Sequence, residues 1–299
     1  MTKSSRIVFK QAPGKPDLWR IRKEIYRHML QTRGWKYRSF LRFLRFFKYI
    51  SFSPTRGSFL EYYYVMMRYL DDVVDGDAPL PKGYRDPVEY IEDKIAFSRH
   101  LAGPRDGADH LMLHCFSLGE KFGQEFQQET QDILHSLLFD AKRRGTWEVF
   151  PADILREHFH KMDIRGTIRA TLKIFGDEPD QYPILEPLGV ACRYQYDIED
   201  VSTDLAAGYV NITREEVAAL GIRPEELRDP ASSGVKRWVQ KHALEGLELL
   251  EKHRTKVTEG RFSPLARATF PVVYGWPARK VFQNTLQGSS LHQNFIHQT

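Results

Sequence analysis

The stretch MRYLDDVVDGD, residues 67–77, sets three carboxylates, Asp71, Asp72 and Asp75, into a segment flanked by YYYVMMRYL and interrupted by VV. Asp71 and Asp75 are four apart and share one face of a helix, with Asp72 about 100° round from Asp71. So apolar a helix is expected to be largely buried, and a buried carboxylate needs a cation or hydrogen-bond donors. Carboxylate oxygens are hard ligands suited to Mg²⁺. Taken alone, the pattern is also that of a solvated acidic helix end, closed by the turn residues Gly76 and Asp77.

A second acidic stretch changes the balance. YQYDIEDVSTDLAAGYVNIT runs from Tyr194 to Thr213, with Asp200 and Asp204 again four apart and Asp197 three before Asp200. Like charges stacked at this spacing destabilise a helix unless something neutralises them. Two such stripes in one helical chain suggest a multi-metal site shared by facing helices; the alternative is two unrelated solvated faces. Mg²⁺ held by few carboxylates keeps positions open for phosphate oxygens. A diphosphate on an allylic carbon is a leaving group whose charge metal, Arg and Lys would stabilise. An apolar aromatic pocket would shelter the resulting cation from water.

Composition is compatible with this. Of the 299 residues 41% are hydrophobic and 13% aromatic, enough for a sizeable core with a wide apolar interior. Two cysteines, Cys115 and Cys192, cannot staple a chain of this size and lack zinc-ligand spacing, so a reducing cytosol is expected. The first residues, MTKSSRIVFKQAPGKPD, have no apolar run of a secretory signal, and no segment reads as a spanning helix. The net charge of +5 is dispersed apart from KYRSFLRFLRFFK, and no nucleic-acid signature accompanies it, so nucleic acid is not the expected partner.

Helical spacing dominates throughout. Helix-ending Gly and Pro fall in GDAPLPKGYRDP (76–87), AGPRDGAD (102–109), GDEPDQYP (176–183) and GIRPEELRDPASSG (221–234). Thr213 with Glu216 forms a capping box, and Gly221 stops the short helix that follows. The expectation is an all-α bundle of roughly eight or more helices in a single domain over 1–299, with about 1–20 and the tail after Gln287 loosely attached.

With these elements in place the chain resembles the squalene/phytoene synthase family from about residue 40 to residue 255. YYYVMMRYLDDVVD resembles the first aspartate-rich helix and DVSTD the second; LLFDAKRRGTW resembles the segment with a single Asp, here Asp140. MDIRGTIRATLKIFG resembles the Ala-Gly-Thr-Val helix, and GYVNITREEVAALGI sits where members carry Gly-Arg-x-Tyr-x-Pro. The resemblance implies an isoprenoid-synthase-type bundle around an apolar cavity, with several Mg²⁺ ions bridging an allylic prenyl diphosphate to both acidic helices. It carries metal roles to Asp71, Asp75, Asp200 and Asp204, with Asp72 and Asp197 behind them, and a diphosphate role to Arg68.

The departures are equally specific. The family's Ser-Lys-Ser/Thr-Phe element reads FLRF (43–46) here, its hydroxyls gone but Arg42, Arg45 and Lys48 nearby. The family's Asn four before the second Asp pair is Tyr196, the Arg before that pair is Glu199, and the Arg and Tyr of the Gly-Arg stretch are Tyr209 and Asn211. A Tyr-rich patch is replaced by HFHKM (158–162). The resemblance ties these groups to handling two diphosphates in head-to-head coupling. Their loss points instead to a transferase whose acceptor is a hydrophobic or aromatic molecule of indole or carbazole type. Squalene- or phytoene-type synthesis, terpene cyclisation and a non-catalytic scaffold are the alternatives.

Smaller features have two readings each. Arg165 and Arg169, four apart, either grip diphosphate or form a solvated basic face or salt bridges to the acidic helices; for Lys173 the second reading is expected. Glu199, with Asp140 and Tyr196, is a candidate for handling the proton lost at the acceptor, and His158 and His160 are alternatives. The basic-aromatic run around Arg42, Arg45 and Lys48 either touches an anionic membrane or faces solvent from a bundle helix.

Overall fold

A computed structural model describes residues 17–32, 34–50 and 53–296; the expectations for residues 1–16 and 297–299 lie outside it. Among the described residues every regular element is helical and no strand occurs. The chain divides into two compact units, Met1–Lys142 and Arg143–Thr299.

The first unit holds α1 (Leu18–Thr32), α2 (Gly34–Ile50), α3 (Pro54–Val74), α4 (Pro87–His100), α5 (Gly107–Lys121) and nearly all of α6 (Gln127–Arg143). The α3 helix is its axis and packs against α2 and α5. Its start is marked by Ser53, whose Oγ accepts from the Arg56 amide, and by Pro54 in the first turn, where its missing N–H costs nothing. Phe59, Val65, Met66, Leu70 and Val74 are wholly buried along it. Phe59 lies 4.0 Å from the ring of Phe126 and 5.1 Å from that of Tyr63. Each such side chain contributes about 1.5–3 kcal/mol through burial. Below this core Lys94 is 0% exposed yet charged. Burial opposes that charge, but Asp106 at 3.0 Å and Asp109 at 2.7 Å hold it above the ordinary lysine value.

The second unit holds α7 (Ala152–Phe159), a π-helical segment His160–Ile168, α8 (Arg169–Phe175), α9 (Tyr182–Ala207), α10 (Arg214–Leu220), α11 (Ser233–Lys256), α12 (Pro264–Thr269), a second π-helical segment Phe270–Gly275 and α13 (Trp276–Ile296). The long α9 packs against α11, the first π segment and α13. Leu185, Leu188 and Ala191 of α9 meet Ile164, Ile168, Leu172, Ala243 and Phe282 in one core. Gly189 makes the α9–π contact possible: a β-carbon there would come within 2.1 Å of Ile164 Cδ1. A smaller core gathers Leu205, Val210, Ile212, Ile222 and Val235 around Trp238.

The four Gly- and Pro-rich stretches separate α3 from α4, α4 from α5, α8 from α9 and α10 from α11, as their residue types require. The capping box forms as expected: Thr213 Oγ1 accepts from the Glu216 amide, and Glu216 reaches back to the Thr213 amide. Gly221 follows in the left-handed conformation at φ 58°.

Candidate functional site

In the first unit, Asp71 and Asp72 are both held by one guanidinium on their own helix. Arg68 places Nη1 2.5 Å from Asp71 and donates from Nε to Asp72 at 2.9 Å. Asp72 is 0% exposed, and its other oxygen lies 3.9 Å from His28 Nε2 on α1. Asp71 and Asp75 are half-buried, and Asp75 closes α3 by donating its amide to the Asp71 carbonyl at 2.8 Å. Asp72 therefore ties α1 to α3, while the pair four apart stands nearer the surface.

In the second unit the end of α9 builds a tighter arrangement. Gly208 caps α9 at φ 79°, in the left-handed conformation that disfavours other residues. A β-carbon on it would also fall 2.5 Å from Gly145 Cα. The amide of Gly145 donates to the Ala207 carbonyl and that of Trp147 to the Gly208 carbonyl, so two backbones pass in contact. This reversal carries Asn211 back over the helix end. Its amide nitrogen donates to Asp204 at 2.9 Å and to Asp197 at 3.1 Å, and its oxygen accepts from Arg143 at 2.8 Å. Arg193 adds a second cation, 3.2 Å from Asp197 and 4.0 Å from Asp163.

Burial pushes both carboxyls up, Asp204 to about 7, with Asp197 and Asp200 adding to it and Arg193 and Arg143 opposing. Asp197 is likewise raised by burial against the pull of Arg193. Clustered carboxylates of this kind gain from a cation. Among the described residues no three His, Cys, Asp or Glu side chains converge as on a single ion. The donor set is nonetheless of the right chemistry. Mg²⁺ typically takes only one or two carboxylates and completes its shell with water and substrate phosphate oxygens, so the pairs Asp71/Asp75 and Asp200/Asp204 fit it.

Beside Asp197 opens a cavity of about 660 Å³, within the range of small-molecule sites. Leu155, Phe159, Ile164, Val190 and Leu249 give it apolar walls, and Asp163, Arg193, Asn211 and Thr213 line its Asp197 side. The π-helical turn supplies His160, Asp163 and Ile164 to that wall; such wide turns recur at functional sites. Bonded to Thr213, Glu216 is the hub of a partly buried network, accepting from Trp238 Nε1 at 3.2 Å, Lys241 Nζ at 2.9 Å and the His242 ring at 3.1 Å. Burial alone would raise its carboxyl, but His242, Lys241 and the Thr213 amide hold it well below the ordinary glutamate range. His242 is sandwiched between Tyr194, 4.0 Å away and nearly parallel, and Trp238 at 4.2 Å.

No protein-family model matches the sequence, and no curated protein does. Solved structures do, two of them as follows. The squalene synthase HpnC from Alicyclobacillus acidocaldarius is 14% identical and superposes with a TM-score of 0.65 over 91% of this chain and 95% of its own. A dehydrosqualene synthase solved in complex with ligand is 13% identical, with a TM-score of 0.56 over 92% and 99%. The chain has the squalene-synthase fold.

Within that fold the residues singled out in the sequence fare differently. Asp197 and Asp204 are brought together by Asn211, whereas Asp200, half-buried between them, does not line the cavity. Arg165 pairs with Glu157 at 2.6 Å and Arg169 with Asp180 at 3.4 Å, neither of them on an aspartate-rich helix. Lys173 is buried and does not lie on a solvated face. Arg45 is exposed, 4.0 Å from Glu61 and over the ring of Tyr26 at 5.3 Å. Glu199 is exposed and accepts from Gln195 at 3.0 Å; neither it nor the exposed Tyr196 lines the cavity. Asp140 is half-buried on α6, His158 is buried, and His160 lines the cavity. Sequence reading passed over Arg193, Glu216 as a hub, and His242, and it met Asn211 only as a departure from a family tyrosine. The turn signal at Gly208, three residues before Asn211, is the one local clue to its position.

Proposed function

We propose that the protein is a prenyltransferase that ionises an allylic prenyl diphosphate and passes the prenyl group to an acceptor that is not a second diphosphate. The squalene-synthase fold and the carboxylate pairs support the first half. Asp71 and Asp75 in the first unit, and Asp200 and Asp204 in the second, would hold Mg²⁺; when bound, it supplies Lewis-acid neutralisation of the departing diphosphate. Arg68 fixes the carboxylate of Asp71, and Asn211 that of Asp204, so one member of each pair is held in place before binding.

The observation that carries the second half is the cavity's charge. Its walls hold seven Asp and Glu side chains against four Lys and Arg. A second diphosphate would enter a net-negative pocket, whereas an apolar ring system bearing an N–H donor finds carboxylates to bond and Phe159, Tyr194 and Leu249 to pack against. This favours an aromatic acceptor of indole or carbazole type. The proton lost from such an acceptor would pass to a group on the cavity wall, where His160 and Asp163 stand, rather than to the exposed Glu199.

The test is diphosphate release from dimethylallyl, geranyl, farnesyl and geranylgeranyl diphosphates, with Mg²⁺ and with EDTA, each with and without indole or carbazole. Mg²⁺-dependent release that an aromatic acceptor accelerates, with a prenylated product, is expected. The likeness to squalene and dehydrosqualene synthases favours one other reading, head-to-head coupling. A squalene- or phytoene-type hydrocarbon formed from a single donor would replace the proposal with that one.

A further inference from the structure

The α1 and α2 helices carry nine lysines and arginines and one glutamate. Two helices thus hold more positive charge than the net +5 of the whole chain, and the remainder is net acidic. The charge is also organised. Leu41, Leu44 and Phe47 of α2 are buried at 5%, 1% and 1%, on the face turned to α3. Arg42, Arg45, Phe46 and Tyr49, at the i, i+3, i+4 and i+7 positions, form a stripe on the other face. Phe46 is 59% exposed, Tyr49 82%, and the Arg45 side chain 62%. No acidic residue occurs in α2. Large aromatics left in water beside arginines are unfavourable in a soluble surface and favourable at a bilayer interface. There the rings sit at headgroup depth, the guanidinium stems extend to the phosphates, and each basic residue is attracted to an anionic leaflet. No described helix is long and apolar enough to cross a membrane, so α2 would lie in the interface plane and not span it.

We propose that the outer stripe of α2, Arg42, Arg45, Phe46 and Tyr49, is a docking surface for an anionic lipid bilayer. The inference is independent of the proposed activity, because it rests on the exposure and charge of α2 alone. A polynucleotide would be attracted by the same charge, but the convex face of one helix offers no groove in which bases could stack against Phe46 and Tyr49.

The test is sedimentation of the full chain with vesicles of phosphatidylcholine alone and of phosphatidylcholine with phosphatidylglycerol. Binding is expected to the mixed vesicles only, and to fall as salt is raised. The double variant Phe46→Ser/Tyr49→Ser, which keeps the charge, is expected to weaken binding on the order of tenfold or more. Arg42→Glu is expected to weaken it roughly tenfold. Val272→Ser, altering a residue 66% exposed in the other unit, is expected to leave it unchanged. Circular dichroism of each variant controls for folding. No binding to mixed vesicles at low salt, equal loss with Val272→Ser, or displacement from vesicles by RNA at lower concentration than by free lipid would overturn the proposal.

Discussion

Asn211 donates to Asp204 at 2.9 Å, and the same nitrogen reaches Asp197 at 3.1 Å. One neutral amide therefore bridges two buried carboxylates, of which Asp197 also has Arg193 at 3.2 Å. Asn211→Ala removes the donor and is expected to cost about 1–3 kcal/mol of stability, the usual penalty for stranding buried polar groups. Asn211→Asp adds a third carboxylate at the same place and should cost more. If these aspartates hold Mg²⁺, adding the metal should raise the melting temperature of the Asp variant more than that of the wild type. Thermal melts with and without Mg²⁺ decide it; an Asp variant indifferent to the metal would count against metal binding at this end of α9.

The acidic residues of the two stretches should separate into structural and functional members. Asp72 is fully buried between Arg68 and His28. Asp72→Ala leaves Arg68 without one of its partners inside the core and is expected to destabilise by about 3–5 kcal/mol. Asp200 is half-buried. Asp200→Ala should leave the melting temperature nearly unchanged while lowering diphosphate release by about 10²–10³-fold, the scale of a lost electrostatic group at a reacting diphosphate. Wild-type turnover in a folded Asp200→Ala protein would remove this residue from the chemistry.

Much of this architecture was legible from the chain because it is local. The i, i+4 aspartate pairs, the Thr213–Glu216 capping box and the Gly and Pro breaks are all written within a few residues; the capping box forms and the breaks fall between helices as expected. The contacts that give the second unit its character are not local. Glu216 reads as an ordinary capping residue, and only the packing of α10 on α11 brings Trp238, Lys241 and His242, up to 26 residues away, onto its carboxylate. The π-helical turn at His160–Ile168 is equally hidden, since a one-residue widening of a helix leaves no mark in an apolar period already blurred by charged positions. Glu199 drew attention because it replaces a family arginine, but helix phase turns it outward. A substitution seen in one dimension does not reveal which way the side chain faces.

Gly208 joins the local and the distant parts. It holds φ at 79°, and its α-carbon packs on the backbone of Gly145. A β-carbon would meet both the left-handed penalty of about 1–2 kcal/mol and overpacking of about 1–3 kcal/mol. Gly208→Ala is therefore expected to destabilise by about 2–5 kcal/mol, the sum of those two effects. It should also loosen the turn that delivers Asn211. Chemical denaturation measures the first, and diphosphate release at a temperature where the variant is folded measures the second. A variant as stable as the wild type would mean that the Gly145 strand of chain gives way freely.

The Glu216 hub has a pH signature with a definite sign. Its carboxyl titrates far below the ordinary 4.5 because His242 and Lys241 bond the ionised form, against the opposing effect of burial. In the unfolded chain those partners are gone. The stabilisation is thus complete above about pH 4.5, where both states are ionised, and drains away as pH falls toward the depressed folded value. Removing the charge with Glu216→Gln is expected to cost about 3 kcal/mol near pH 7, as for breaking a partly buried pair. Below pH 4.5 that difference should shrink by about 1.4 kcal/mol per pH unit. Denaturation of both proteins at several values between pH 6 and pH 3 reads it directly. A gap that stays constant over that range would show that Glu216 contributes through its shape and neutral hydrogen bonds, and the ion pair with Lys241 would then add nothing to the stability of the second unit.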